Sequence, residues 1–193
     1  IRSAMMTTAT PLDNTRRTIR DEGKGLPATP LDFGAGHIDP NRAMDPGLVY
    51  DLGEQDYLNF LCGLGYDSAQ MTAVTRRTDW SCEKQADLNY PSFAVVVSNT
   101  TSFPVVREFA RVLKNVGDEA AVYRAVAEAP EGMRIRAVPE RLTFSSRNQT
   151  LGFKVHVEVE KGTWSMGSKM FGFLKWIDQG NHVVSSPVVV IST

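Results

Sequence analysis

The sequence DFGAGHIDPNRAMDPGLVYD, residues 32–51, concentrates the residue types that could form a catalytic or binding site. Two glycines, Gly34 and Gly36, are separated by one residue and followed directly by His37. Asp39 lies two residues further along the chain. This combination is compatible with a loop that binds phosphate, with a His/Asp catalytic site, or with a turn that only shapes the backbone.

A phosphate-binding loop requires three glycines in the order G-x-G-x-x-G, or a G-x-x-x-x-G-K-[ST] motif. Here Asp39 stands where the third glycine would follow Gly34 and Gly36, and no Gly-Lys-Ser/Thr comes after it. We therefore exclude nucleotide binding and expect no cofactor.

Metal binding and nucleophilic catalysis also lack their sequence signals. A zinc site needs clustered His and Cys, but His37, His156 and His182 are isolated from one another along the sequence. His156 falls on the polar side of an alternating run and is predicted to face solvent. No Gly-x-Ser-x-Gly motif marks a nucleophile. We predict neither a metal ion nor a complete catalytic site.

The same residues have a plainer structural role. Glycine adopts backbone angles that other residues avoid, which would let the chain turn tightly between Gly34 and Gly36. Asp39 could cap a short helix whose first residue is Pro40, the helical position where proline is favoured. We therefore predict that residues 32–51 form a turn, a capped helix and an exit segment.

Composition excludes two classes of partner. The 193 residues carry 21 Lys and Arg against 22 Asp and Glu, a net charge of −1, and no basic patch stands out. A nucleic-acid partner is therefore not expected. No apolar run approaches the roughly 20 residues of a membrane span, so no membrane partner is expected either.

Two cysteines and two glycosylation sequons favour a secreted protein. Asn99 and Asn148 each begin an N-x-[ST] sequon, and both lie at turns between strand-like runs. Cys62 and Cys82 could form a disulfide that closes a loop of about 20 residues. They could equally be two buried free thiols.

The spacing of apolar residues divides the chain into three parts. Residues 1–51 are irregular, and residues 52–86 have a helical period. Apolar side chains spaced at i, i+3, i+4 and i+7 predict one helix, and Asp67 with Gln70 predicts the capping box of a second. The helical face comprises Tyr57, Phe60, Leu61 and Leu64, with Gly65 as the terminating glycine.

Residues 87–193 change to a period of two. Apolar residues at 151, 153, 155, 157 and 159 alternate with mostly polar ones, which is typical of a half-buried strand. About seven such runs separated by turn signals predict an antiparallel β-sandwich of immunoglobulin or fibronectin type. The Cys…Trp…Cys pattern of antibody domains is absent, which favours the fibronectin-like variant. The predicted strands are 92–97, 105–113, 121–129, 133–138, 150–160, 171–177 and 182–191.

Several blocks of sequence resemble one known family. SAMMTTAT, DFGAGHIDPNRAMDPGLVYD, DYLNFLCGLGY, DLNYPSFAV and KNVG occur in this order. Together they resemble the C-terminal part of plant subtilisin-like serine proteases of the cucumisin-like group, from Ile1 to about Ile191. LTFSSRNQTLGFKV and FGFLKW resemble that family's terminal fibronectin-III-like domain. There the family usually has Ser and Thr where this chain has Phe173 and Lys175.

The resemblance implies a secreted endopeptidase of the plant apoplast that acts on protein or peptide substrates. Its Asp/His/Ser triad, with an Asn at the oxyanion, would lie upstream of Ile1. His37 is then not the catalytic histidine, and the 193 residues alone are predicted to be inactive. The sequence IRSAMMTTAT has the character of the second half of a helix, so we expect Ile1 to result from truncation or a nick in a longer chain.

The resemblance also implies an architecture and a partner. Residues 1–51 would be the C-terminal segment of an α/β subtilisin-like catalytic domain, 52–86 a helical connector with a Cys62–Cys82 disulfide, and 87–193 a fibronectin-III-like sandwich. The sandwich would pack on the N-terminal remainder of the protease and support it. The alternative is an autonomous extracellular β-sandwich that binds a partner without catalysis. The exposed apolar start of the chain speaks against that alternative.

Overall fold

A computed structural model describes residues 1–83, 87–98, 102–117, 119–161, 167–180 and 182–193 of the chain. Short helices and one short strand lead into a sandwich of two β-sheets. The helices are α1 (Arg2–Thr7), α2 (Pro30–Phe33), α3 (Pro40–Met44), α4 (Glu54–Gly63) and α5 (Ser68–Thr75). The strands are β1 (Leu48–Val49), β2 (Phe93–Val97), β3 (Val105–Asn115), β4 (Ala121–Glu128), β5 (Met133–Val138), β6 (Arg141–Phe144), β7 (Thr150–Val159), β8 (Lys169–Ile177) and β9 (Val183–Ser192).

The predicted sandwich is present, with a four-stranded and a five-stranded sheet. The first has the order β1-β3-β7-β5, and the second has the order β2-β9-β8-β4-β6. The alternating residues of β7 explain how the sheets meet, because Phe153, Val155, Val157 and Val159 are buried and face the opposite sheet. Trp176 of β8 is fully buried and packs edge-on against Phe153 at 5.1 Å between ring centroids.

The prediction of an all-antiparallel sandwich was wrong at one strand. β2 runs parallel to β9, with Phe93 opposite Val188 and Val97 opposite Ser192. Alternation of apolar and polar residues has the same period in either direction, so it could not reveal the orientation of β2. The other strand pairs are antiparallel in the described part of the chain.

Two short strands were not predicted. β6 has four residues, too few to establish a period. β1 has only two and lies in the segment predicted to belong to an α/β domain. Instead of forming part of an α/β layer, β1 adds to the sandwich as an edge strand beside β3. The described residues 1–51 thus form three short helices and one strand of the sandwich, rather than a recognisable α/β unit.

The helical connector has the two helices that the sequence predicted. Asp67 accepts a hydrogen bond from the Gln70 amide at 2.9 Å, and the Gln70 side chain accepts one from the Asp67 amide, which is a complete capping box. Gly65 has a φ of +82° just beyond the end of α4, as expected for a terminating glycine. Cys62 and Cys82 form a disulfide that ties α4 to the chain after α5.

The predicted apolar face of α4 was only partly right. Leu58, which was not assigned to that face, is the buried leucine of the helix. Tyr57, Phe60 and Leu61 are half-buried, while Leu64 lies beyond the helix and is exposed. The spacing located the helix correctly but misplaced its most buried side by about one residue, or roughly 100° of helical rotation.

Candidate functional site: the junction between residues 1–51 and the sandwich

The Gly34–Gly36 turn serves the backbone path. Gly36 has a φ of +118°, and a Cβ atom added there would collide with the carbonyl of Thr10. This close approach lets His37 and Thr10 exchange two backbone hydrogen bonds, at 2.8 and 2.9 Å. His37 itself is exposed, so its main chain rather than its ring makes the contact that holds the loop. Gly34 has a φ of +66° at the end of α2.

Asp39 and Pro40 begin α3. The Asp39 side chain accepts a hydrogen bond from the Arg42 amide at 3.1 Å, and Pro40 is the first helical residue. A carboxylate at this position satisfies an amide that has no partner within the helix. The residues of the GAGHIDP block therefore shape a turn and cap a helix in this structure.

Gly47 brings the chain into the sandwich. Its φ is +70°, and a Cβ atom there would collide with the Tyr123 hydroxyl and press on the His182 ring. Its carbonyl accepts a hydrogen bond from the Val116 amide at 2.9 Å. Leu48 and Val49 then pair with Asn115 and Lys114 of β3. A side chain at residue 47 would force this entry apart, because the colliding atoms belong to packed neighbours.

Tyr50 immediately follows β1 and contacts α1, β7 and β9. Its amide donates to the Ser3 hydroxyl of α1 at 2.8 Å, and its own hydroxyl lies 2.9 Å from Ser186 Oγ of β9. Its ring packs edge-on near Phe153, at 6.4 Å between centroids. Burial raises the pKa of Tyr50 to about 12, with the Ser186 hydrogen bond opposing the shift. Tyr50 is therefore a neutral, buried linker between α1, β1 and the sandwich.

The DLNYPS block closes the exposed edge of β3 where β1 ends. The side chain of Asn89 makes the two hydrogen bonds that a neighbouring strand would make. It accepts from the Val112 amide at 2.8 Å and donates to the Val112 carbonyl at 2.9 Å. It also donates to the carbonyl of Asp51 at 3.0 Å. Asp87 accepts from the Ala110 amide at 3.1 Å. Side chains thus satisfy edge groups of β3 that another strand would otherwise pair with.

Arg111 anchors the same block from inside. Its side chain is 6% exposed, and its guanidinium donates to the carbonyls of Tyr90, Ser92 and Ala110 at 3.0, 3.3 and 2.8 Å. The group also lies over the rings of Phe93 and Phe109, at 4.8 and 5.5 Å. Burial lowers the pKa of Arg111, while Asp87 and Tyr50 oppose that shift.

His182 lies between two carboxylates, although no other histidine or cysteine is brought to it among the described contacts. Its Nδ1 lies 2.7 Å from an Asp178 oxygen, and its Nε2 lies 3.1 Å from an Asp45 oxygen. The two carboxylates face opposite ring nitrogens, so they do not converge on one point. Among the described residues, no group of three or more His, Cys, Asp or Glu side chains is placed to hold a metal ion. Asp45 is far from His182 in sequence, and only the fold reveals the contact.

Many of the exposed large apolar side chains lie in residues 1–51. Fifteen large apolar side chains are exposed in the described part of the chain, and seven of them lie in this first quarter. The seven are Ile1, Met5, Leu12, Leu26, Leu31, Ile38 and Met44. We call these seven side chains the apolar surface of the first segment. Their concentration in one segment makes that segment the candidate for an interaction site.

None of the helices in the described part of the chain is both long and apolar enough to cross a membrane.

Replacement of Arg111 by Lys should destabilise the sandwich. Lysine keeps the charge but loses the planar fork that reaches three carbonyls, so we expect a loss of about 2–3 kcal/mol in the free energy of unfolding. Urea unfolding followed by tryptophan fluorescence measures it. Arg107→Lys on the same strand is the matched control, because Arg107 is exposed and should change stability by less than about 0.5 kcal/mol. Equal losses for the two variants would contradict the role given to Arg111.

Comparison with known proteins places this geometry in a family. A family model for the fibronectin type-III domain matches residues 87–190. Over 98% of its length the chain is 44% identical to the subtilisin-like protease SBT3 of Solanum lycopersicum and 41% identical to SBT1.6 of Arabidopsis thaliana. It is 42% identical to SBT5.3 of Arabidopsis thaliana over the same share. The chain spans 25%, 26% and 24% of these three relatives, about a quarter of each.

Solved structures resemble the chain only weakly. The periplasmic chaperone SfaE aligns with 53% of this chain and 56% of its own, at 10% identity and a TM-score of 0.38, too low to support an argument. The sequence relatives are decisive because they match almost the whole chain. The chain belongs to the fibronectin type-III domain family over residues 87–190, and as a whole it corresponds to the C-terminal region of plant subtilisin-like proteases.

Proposed function

We propose that this chain is the C-terminal part of a secreted serine endopeptidase of the subtilisin type, and that it completes and supports the catalytic domain. The observation that carries the proposal is the match of 98% of the chain to about a quarter of proteases that share 37–44% identity with it. In this proposal the Asp/His/Ser triad belongs to the remaining three quarters of the protein. The substrates are proteins or peptides.

The chemistry follows from the triad and not from this chain. A serine attacks the peptide carbonyl, a histidine takes its proton, an aspartate orients the histidine, and an Asn helps to hold the oxyanion. Such a mechanism needs reacting groups held within fractions of an ångström. The contribution of residues 1–193 is to hold the polypeptide that borders those groups in one fixed arrangement.

The apolar surface of the first segment supports a role in packing against the rest of the protease. Met44 is 86% exposed and Ile38 is 53% exposed. Met44 is the last residue of α3, and the cap of α3 and the pairing of β1 hold it in place relative to the sandwich. A rigid apolar surface of this kind would bury itself against a partner at little cost in conformational entropy.

Residues 87–193 form the supporting domain in this proposal, and residues 52–86 form the connector. The first segment, residues 1–51, would belong to both domains. Its last part forms a strand of the sandwich, and its other residues would pack on the catalytic domain. The boundary at residue 51 therefore marks a change in sequence character, whereas β1, just before it, already belongs to the sandwich.

The isolated 193-residue chain should not react with a fluorophosphonate probe of serine nucleophiles, whereas the whole protease should react at a serine outside this chain. The measurement is in-gel labelling followed by mapping of the labelled peptide. Heat-denatured whole protease is the control for non-specific labelling. A labelled serine within residues 1–193 would overturn the proposal that the triad lies elsewhere.

Met44→Asp should impair the whole protease without unfolding the isolated chain. A charge introduced into a buried apolar contact costs several kcal/mol, so the yield of active enzyme should fall about tenfold or more. In the 193-residue chain Met44 is exposed, and the free energy of unfolding should change by less than about 0.5 kcal/mol. Active-site titration and urea unfolding measure the two effects.

The control for Met44→Asp is Val126→Asp on β4. Val126 is also an exposed apolar residue outside the first segment, and its partner across the sheet is Lys175, so this variant should retain near-normal yield. Similar yields of active enzyme from the two variants would argue against the first segment as the contact with the catalytic domain.

Secretion is the proposed location, with the apoplast as the compartment. The Cys62–Cys82 disulfide is typical of proteins that fold in an oxidising compartment. Asn148 is exposed, with a φ of +65°, in the turn before β7, and Thr150 of its sequon is exposed as well. Asn99 lies outside the described residues.

Glycosylation at Asn148 is testable by mass. Endoglycosidase should reduce the mass of the protein made in plant cells, and Asn148→Gln should remove one glycan. An unchanged mass in both experiments would refute glycosylation at Asn148.

The second candidate is an autonomous extracellular binding module. The continuous sandwich core favours it, because a domain with its own core can fold alone. Intact mass of the purified native protein under denaturing conditions separates the two. A companion polypeptide of tens of kilodaltons, or a single much longer chain, supports the protease. A single species of 193 residues that folds cooperatively and binds no such partner supports the module.

A further inference from the structure

We propose that His182 is a pH-dependent latch, which when protonated holds the turn after α3 against the sandwich through Asp45. This proposal concerns contacts within the chain alone and does not depend on the proposed protease function. His182 immediately precedes β9, whereas Asp45 lies between α3 and β1. Their ion pair, at 3.1 Å, therefore connects the first segment to the β8–β9 hairpin.

The number of protons on the ring decides how many contacts His182 makes. Both ring nitrogens face carboxylate oxygens, Nδ1 facing Asp178 at 2.7 Å and Nε2 facing Asp45 at 3.1 Å. Ionised carboxylates only accept hydrogen bonds, and a neutral imidazole has a single N–H. Both contacts can therefore exist as hydrogen bonds only when the imidazole carries two protons.

The structure indicates which contact is lost on deprotonation. Asp178 has a side chain that is 10% exposed, and it also accepts from the His182 amide at 2.8 Å. Asp45 has a side chain that is 73% exposed, and water can replace its partner. The remaining proton should stay on Nδ1, where it satisfies the buried carboxylate. Deprotonation then breaks the contact between segments and keeps the contact within the hairpin.

Four ionisable groups face this site from the surrounding elements. Asp178 extends from the end of β8, and Asp45 comes from the turn after α3. Arg42 of α3 donates to the carbonyl of Val183 at 3.4 Å. Tyr123 of β4 lies near Asp178, and burial together with the nearby carboxylates raises its pKa, so its hydroxyl stays protonated. Unlike these four groups, histidine has an ordinary pKa between pH 5 and 8.

The charge balance favours the closed latch at mildly acidic pH. Burial alone would lower the pKa of His182, but hydrogen bonds and charges from Asp178 and Asp45 outweigh it and raise that pKa. A group whose pKa is raised by folding adds stability that is fully present below its unfolded pKa, about 6.5 for histidine. That stability disappears as the pH rises through the folded-state pKa. The latch should therefore close on acidification and open as the pH rises through the raised folded-state pKa of His182.

Opening of the latch would affect residues 45–47, which lead into β1. Gly47 directly follows the Asp45–Pro46 turn and lies against the His182 ring, where an added Cβ would come within 2.9 Å of Cγ. Release of Asp45 removes a tether two residues before this contact. The turn of residues 45–47 should then move more freely, while the Val116–Gly47 hydrogen bond and the β1–β3 pairing still hold the chain.

An NMR titration of the 193-residue chain between about pH 5 and pH 9 tests the latch. The imidazole signals of His182 should show two N–H groups at low pH and an Nδ1–H tautomer at high pH. The amide signals of Met44, Asp45 and Gly47 should shift with the same midpoint. In Asp45→Asn the His182 midpoint should move to lower pH, and the pH-dependent shift of those amides should shrink several-fold.

A control variant accompanies the titration. Asp51→Asn also removes one exposed carboxylate, but its partner is Lys114, so the His182 midpoint should stay in place. The proposal is overturned if Asp45→Asn leaves the His182 midpoint unchanged, or if the amides of Met44, Asp45 and Gly47 do not follow that titration.

Discussion

The pairing of two residues, Leu48 and Val49, with the edge of β3 is the contact on which the rest of this structure depends. It makes the first segment part of the sandwich instead of a tail attached to it. Gly47 and Tyr50, on either side of the pair, complete the entry with a close approach to Tyr123 and a buried hydroxyl contact to Ser186. The pairing adds to the direct contacts of this segment with β9, among them the hydrogen bond from Arg42 of α3 to the Val183 carbonyl.

The remainder of the β3 edge is closed by side chains, which explains why the DLNYPS block is needed in addition to β1. Asn89 and Asp87 bond to backbone groups of β3 that an adjoining strand would otherwise use. Arg111 holds the block in place through the carbonyls of Tyr90 and Ser92. A sheet edge finished in this way offers fewer free backbone groups to another chain. It leaves the apolar surface of the first segment as the stronger candidate for a contact surface.

The sequence predicted local features well because their physical causes are local. Alternation along β7, the Asp67–Gln70 capping box and the Asp39–Pro40 helix start each depend on residues close together in the chain. Contacts between distant residues had no such signal. The parallel direction of β2, the insertion of β1 and the Asp45–His182 ion pair all depend on how separated segments meet. Arg111 was missed for the same reason, since an arginine within a strand-like run carries no mark of burial.

Native-state hydrogen exchange on the 193-residue chain tests most directly whether the first segment and the sandwich are one structural unit. The Val116 amide bonds to Gly47 across the junction, and the Tyr50 amide bonds to Ser3 within the first segment. Both should exchange with free energies close to those of the central amides of β7. In that case the first segment opens only when the sandwich unfolds. Exchange of Tyr50 and Val116 at a much lower free energy than β7 would show that the first segment detaches on its own, and would contradict the account.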